Sequence, residues 1–514
     1  MLQYWGVCQC DSCQRRWAEY SGGKDLPKWK EDEAYPEWKL FSDGILDKWT
    51  GRVKEFIVDR VPEAALILGG SANVMFYEAN NAADREIWHH ATAETVSKFF
   101  TWRPDVPVLV NAAVFNDHAF RISAEQTPHF VQFHLQAMAK GANPSTYIIG
   151  YPGQVPWPAL SEAGELMRFH KQWRDVYTGM RQTAKIGLIL PRLANMNNDE
   201  EQFDAAMEEY KGLYKAMQEL HIPFEIIAQQ YLSDILERGG LDDWEVIILP
   251  NFGEIDDEHA EGLDDFVANG GTLIATGHVG ASDNGTLQLQ SMPAERREEY
   301  SDNLREFWST YMAPEQKDPD HGENSVYTPP LVPILGSYSL YEWKENSRGH
   351  YEKLSNGTFA PPEYIYGNKQ NTSERGVGIG PYDDGTGVLV PFPVGYAYRD
   401  MGLDVHRDFF EMILRDVSEK PQLRFDGLSS QVEVAVARNA QNQTVVHLMN
   451  MSGIKYQNFG EWLPIPASNI TVTKGGEGIK AMALRSNSSL EVEDGVIMVP
   501  GLDLFEVVVI EGLD

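Results

Sequence analysis

Four short apolar runs punctuate the first part of the chain: Ala64 to Leu68, Val74 to Tyr77, Val106 to Val110 and Ser145 to Ile149. Each is bounded by polar or turn-forming residues, the pattern of a buried strand. Between the later runs, Ile87 to Phe100 and Pro128 to Lys140 repeat apolar residues every three or four positions and read as helices. Two helices precede them, Trp17 to Tyr20 and Ile45 to Arg60; in the second, Ile45, Leu46, Trp49, Val53, Phe56 and Ile57 form one stripe before Pro62 ends it. Strand and helix in alternation predict parallel βα units. Four units are half of a (βα)8 TIM-type barrel. Half a barrel leaves two strand edges and one core face uncovered. The remainder is expected from upstream sequence, from a partner chain, or from an atypical fold.

The pattern changes after Arg181. Lys185 to Pro191, Pro223 to Ile227, Glu245 to Pro250 and Gly271 to Thr276 read as buried strands, with helices over Phe203 to Leu220 and Asp256 to Ala268. That is an open doubly wound α/β sheet. It resembles the flavodoxin or class I glutamine amidotransferase type. Such an enzyme needs a cysteine at a strand-to-helix elbow, and this region has none. It is therefore expected to be a scaffold or assembly module. Residues 281 to 380 cluster Pro, Gly, Asn and Ser and are expected to be an irregular insertion. Gly387 to Phe392 adds a strand and His406 to Val417 a closing helix. From Leu423 onward, seven short strands split by Gly, Asn and Asp turns predict a small β-sandwich. The expected domains are 1–180, 181–420 and 421–514.

Composition narrows the function. Seventy-six acids against 43 bases give a net charge of −33, which repels nucleic acid and anionic membranes. Mean hydropathy is −0.38, and no apolar run approaches the ~20 residues of a membrane span. No secretory leader is visible, so a cytoplasmic location is expected. The acidity suits a neutral substrate such as a sugar, and it also fits a salty environment.

All three cysteines lie near the start, as Cys8-Gln-Cys10-Asp-Ser-Cys13, so no disulfide framework holds the body. Thiolates this close can share one soft metal ion, usually zinc, with a fourth ligand from Asp11, water or upstream sequence. Reduced, partly buried thiols are the alternative. No organic cofactor is indicated. The strand ends carry polar groups in succession: Ser71 and Asn73, then Glu78 and Asn80, then Asn111 with Asp117 and His118, then Tyr147, with Trp157 nearby. Singly, each reads as a loop or capping residue. Their recurrence where parallel strands end points to a carbohydrate site, because amides, imidazole and phenol grip hydroxyls and tryptophan stacks on sugar faces. His89 and His90 read as structural residues of the Ile87 to Phe100 helix.

Cys8-x-Cys10-x-x-Cys13, Leu135 to Asn143, and Lys185 to Pro191 with Glu245 to Pro250 resemble glycoside hydrolase family 42 β-galactosidases and their hydrolase relatives. The resemblance implies a barrel, a β-galactosidase trimerisation domain and a β-sandwich, a structural zinc and a homotrimer. In that family the acid on the fourth barrel strand lies a little upstream of the cysteines, which here falls before Met1. The nucleophile sits on the seventh strand, where this chain has Asn111. Glu78 then falls on the sixth strand. It is the candidate general acid/base, and Asp117 the second carboxylate. Asn73, Asn80, Asn111, His118, Tyr147 and Trp157 are candidates to hold an oligosaccharide or glycoside. The expected activity is β-galactosidase-like hydrolysis of an O-glycosyl bond. The alternative is a catalytically inactive carbohydrate-binding and oligomerisation protein.

Overall fold

Three strands, Met75–Ala79, Val108–Ala113 and Asn143–Tyr147, pair in parallel in that order. They belong to a computed structural model that describes all residues except 1–6, 30, 68–71, 82–85, 151–152, 154, 197–198, 302–309, 315–328, 357–360, 362, 364–370, 456–457, 475–477 and 514. Parallel strands need crossovers, and Ala91–Trp102 and Thr127–Ala139 supply them as helices. Met75, Val108, Val110 and Ala112 bury one face of the sheet against Val96, Phe130, Phe133 and Ala137 of those helices.

Among the described residues the arc holds three strands rather than the expected four. Residues 64–67 form no strand, and Leu68 lies outside the described residues. Leu66 turns back instead: its carbonyl accepts from the Asn73 amide at 2.8 Å, and its own amide donates to Asn73 Oδ1 at 3.1 Å. Ile67 is 47% exposed, so that run has no sheet to bury against. Strand limits also shift. The first strand runs two residues beyond Tyr77, which puts Glu78 inside it. The helix after it begins at Ala91, which leaves His89 and His90 in the preceding loop.

The middle region builds a seven-stranded sheet. Its parallel part runs Glu225–Ala228, Ile186–Leu190, Val246–Pro250, Thr272–Thr276, Gly385–Val390, so the second strand in sequence lies at the edge beside the first. Gly378–Tyr382 then pairs antiparallel with Gly385–Val390. The stretch expected to be irregular also holds Ala294–Ser301 paired with Tyr338–Trp343 and a small four-stranded sheet around Tyr351–Leu354. Its aromatic residues lie within polar sequence: Tyr338 turns into one core and Tyr341 into another, which a composition argument overlooks.

Helix Glu200–Glu219 starts at Asp199, whose side chain accepts from the Gln202 amide at 3.0 Å. It crosses Val394–Met401 at two glycines. A Cβ on Gly212 would sit 1.8 Å from the Gly395 carbonyl oxygen, so only glycine permits the approach. Glu209 is fully buried at this crossing, accepting from Thr276 Oγ1 and the Tyr396 amide, both at 2.7 Å. Burial pushes its carboxyl up to about 7, against those hydrogen bonds.

The last region packs a four-stranded sheet against a six-stranded one around Val432, Val446, Ile470, Ile497 and Val508. The outermost of the six strands is Arg181–Gln182, from the start of the middle region.

Two outcomes follow. Gly212→Ala will force the helices apart at a cost of about 1–3 kcal/mol, seen as a lower melting temperature. Glu209 binds its proton more tightly folded than unfolded, so its contribution falls as pH rises from about 4.5 to about 7 and stays low above that. The stability of Glu209→Gln relative to the parent will therefore rise between pH 5 and pH 8 in paired unfolding curves. A flat difference would show that Glu209 does not titrate there.

Candidate active-site face

Alternation along the strands divides the polar groups from the buried ones. Opposite the helix face, the first strand presents Phe76, which is 39% exposed, and Glu78, also exposed. Register places Glu78 beside Asn111 and Asn111 beside Ser145. Neighbouring strands lie about 4.8 Å apart, so these three residues form one lateral row. Ser145 Oγ donates to Asn111 Oδ1 at 3.3 Å and fixes the amide. Two residues on, Tyr147 stands beside Ala113, and Asn80 follows the first strand on the Glu78 side. Tyr147 is half-buried, its ring edge-to-face with Phe115 at 5.2 Å.

Asp117 and His118 lie on the loop beyond Val108–Ala113, which a bridge between Phe115 and Ala124 closes. Asp117 is half-buried and precedes the short turn His118–Phe120. The His118 side chain lies outside the described residues.

Two candidates sit elsewhere. Asn73 precedes the first strand, so it marks the opposite end of the sheet from Asn80; the lack of a strand at 64–67 removes the reason to place it at the mouth. Trp157 is 8% exposed and packed in the core with Phe130 and Phe133, so it offers no open face to a sugar.

Sequence patterning does not single out Ser145, because its relevance comes from lateral register alone. Nor does it single out Glu125 and His129, a buried pair 3.4 Å apart at the start of Thr127–Ala139. Their four-residue spacing was the one available signal.

Cys8, Cys10 and Cys13 hold their sulfurs within 4.8 Å of one another. Cys10 precedes helix Asp11–Ser21. Hydrogen bonds from the Cys13 backbone and the neighbouring thiols pull the Cys10 thiol down to about 7. Burial and the neighbouring sulfurs push Cys13 up. A soft-donor set this tight suits one thiophilic ion.

Residues 193–328 match the model of the β-galactosidase trimerisation domain. No protein of curated function matches the sequence. Among solved structures, alpha-L-fucosidase isoenzyme 2 from Paenibacillus thiaminolyticus aligns with TM-score 0.71 at 14% identity, over 99% of this chain and 76% of its own. The β-galactosidase from Rahnella sp. R3 aligns with TM-score 0.65 at 14% identity, over 99% and 77%. The GH42 β-galactosidase Gan42B from G. stearothermophilus gives TM-score 0.67 at 14% identity, over the same shares. The likeness to these structures is one of fold. With the trimerisation-domain match, it relates the chain to the family 42 β-galactosidases.

Proposed function

We propose that this chain is the C-terminal part of a glycoside hydrolase of β-galactosidase-like type, with Glu78 as its proton-transferring carboxylate. The supporting observation is the lateral row Glu78, Asn111, Ser145 on the face of a parallel βα sheet turned away from its helices. Toward the carboxyl ends of such strands, barrel enzymes place their catalytic groups. On this reading residues 1–180 are the second half of a (βα)8 barrel, 181–420 an amidotransferase-like trimerisation module, and 421–514 a β-sandwich.

The chemistry assigned to each residue is simple. Glu78 protonates the leaving glycosidic oxygen and later takes a proton from water. Asn111, held by Ser145, donates from its amide nitrogen to a sugar hydroxyl. Asn80 and Tyr147 offer further hydrogen bonds one row nearer the mouth, where His118 is a candidate from the loop. Hydrolysis needs a second carboxylate about 5–10 Å from the first; Asp117 is the candidate within this chain. A carboxyl that donates near neutral pH needs an apolar, water-poor surrounding. Glu78 is exposed here, so the covering half of a barrel would supply that surrounding and any further acid.

The same exposure favours a second reading, a binding and oligomerisation protein without turnover. Both readings expect a homotrimer built through the middle module.

Cys8, Cys10 and Cys13 would hold one zinc ion, which supplies a rigid cross-link for the N-terminal segment. A fourth ligand would come from water, Asp11 or another segment.

Two experiments test this. In the assembly with a complete barrel, Glu78→Gln will lower the hydrolysis of chromogenic galactosides at least ~100-fold; an unchanged rate removes Glu78 from the mechanism. A parent protein that binds galactosides yet never turns them over would favour the second reading. Elemental analysis is expected to find about one zinc per chain, absent from a Cys8→Ser/Cys10→Ser double variant. Equal metal in both would reject the cluster.

A further inference from the structure

The three parts of the chain meet around a cavity of about 380 Å³. Segment 86–90, from the connection that leaves the Glu78 strand, forms one wall. Lys215, Glu219 and Arg399 of the middle region form the second, and Gln431, Met451 and Ile454 of the last region the third. The volume is that of a small-molecule site at the lower end of the usual range, and meeting points between domains are where such sites gather.

The lining says what kind of molecule fits. Two of the three lining cations are matched by carboxylates: Arg399 Nη2 lies 2.7 Å from Glu86 Oε1, and Lys215 Nζ lies 3.7 Å from Glu219 Oε1, with Lys455 the third. Donor and acceptor side by side is the arrangement that grips neighbouring hydroxyls, each both donor and acceptor. At these two pairs an anion would have to displace a carboxylate. A metal ion lacks a site, because the cysteine trio is the sole converging ligand group among the described residues. Met451, Ile454 and Ile87 add apolar surface beside these charges, as the C–H face of a sugar ring requires. His89 lines the same space, 8% exposed, with Nε2 held on the Lys455 carbonyl at 3.0 Å. Burial pulls that ring down to about 4, so it stays neutral at pH 7.

We propose that this cavity is a second carbohydrate site, for a neutral mono- or disaccharide, distinct from the Glu78 face. Its occupant touches all three parts of the chain at once and holds the connection after the Glu78 strand against the other two. The assignment stands without catalysis at Glu78.

The test is calorimetric titration of the full chain with galactose, glucose and lactose, and with phosphate and citrate as anionic probes. A sugar is expected to give saturable heat that survives in Glu78→Gln and weakens at least tenfold in Gln431→Trp, which fills the cavity from an exposed position. Should Gln431→Trp lack a cooperative melt, Ile454→Ala replaces it, with a several-fold loss expected. Heat from the anions alone, no heat from any sugar, or sugar binding lost in Glu78→Gln and kept in the cavity variants would each overturn the proposal.

Discussion

Parallel pairing of Met75–Ala79, Val108–Ala113 and Asn143–Tyr147 dictates which side chains can act together. In a parallel pair, partners in register point to the same face. One slip of a single residue would send Glu78 into the helix layer and bring Tyr77 to the open face. The register is held by the apolar set on the other side, Met75, Val108, Val110 and Ala112, which has one buried arrangement. The chemistry on the open face is thus positioned by packing on the closed one. The open face itself is partly exposed, and Phe76 shows it, 39% exposed on the same side as Glu78.

The same economy of packing joins the sheet to the rest. Helix Thr127–Ala139 is buried from His129 to its end, because Phe130, Phe133 and Ala137 face the sheet while Val131, Leu135 and Met138 face Ala435, Val445 and Val507 of the last region. Burial on two sides carries polar groups with it, and some of these find partners. Gln136 donates to Glu433 Oε2 at 2.9 Å and to the His89 carbonyl at 3.0 Å. His90 Nδ1 meets the same Glu433 oxygen at 3.1 Å. The hydrogen bonds from His90 and Gln136 hold the Glu433 carboxyl low although burial alone would raise it. His134, with no partner and no exposure, is instead kept neutral, its pKa lowered to about 4 by burial.

How far the sequence could be read depends on where the information resides. The helices Glu200–Glu219 and Asp257–Ala268 and the four parallel strands near them follow from periodicity, since each is long or flanked by clear turn residues. The run at 64–67 misleads because apolar character makes a strand only when a neighbour pairs with it. Glu78 and Asn111 are legible as residue types near strand ends, and their adjacency is not, since lateral register is set by tertiary packing. Trp157 shows the reverse error. An indole beside polar residues suggests a sugar platform, yet it serves the core, because large aromatics bury well.

The short strand Arg181–Gln182 lies at the outer edge of the last six-stranded sheet, against Ala437 and Arg438. Its partner is encoded about half a chain length downstream, a pairing of very high sequence separation. During synthesis it can dock on the first region, where Gln182 Nε2 donates to the Ala139 carbonyl at 3.0 Å, but its strand partner is absent until the last region has emerged. The backbone pairing at the junction of the first two regions is therefore completed only after the last region is made.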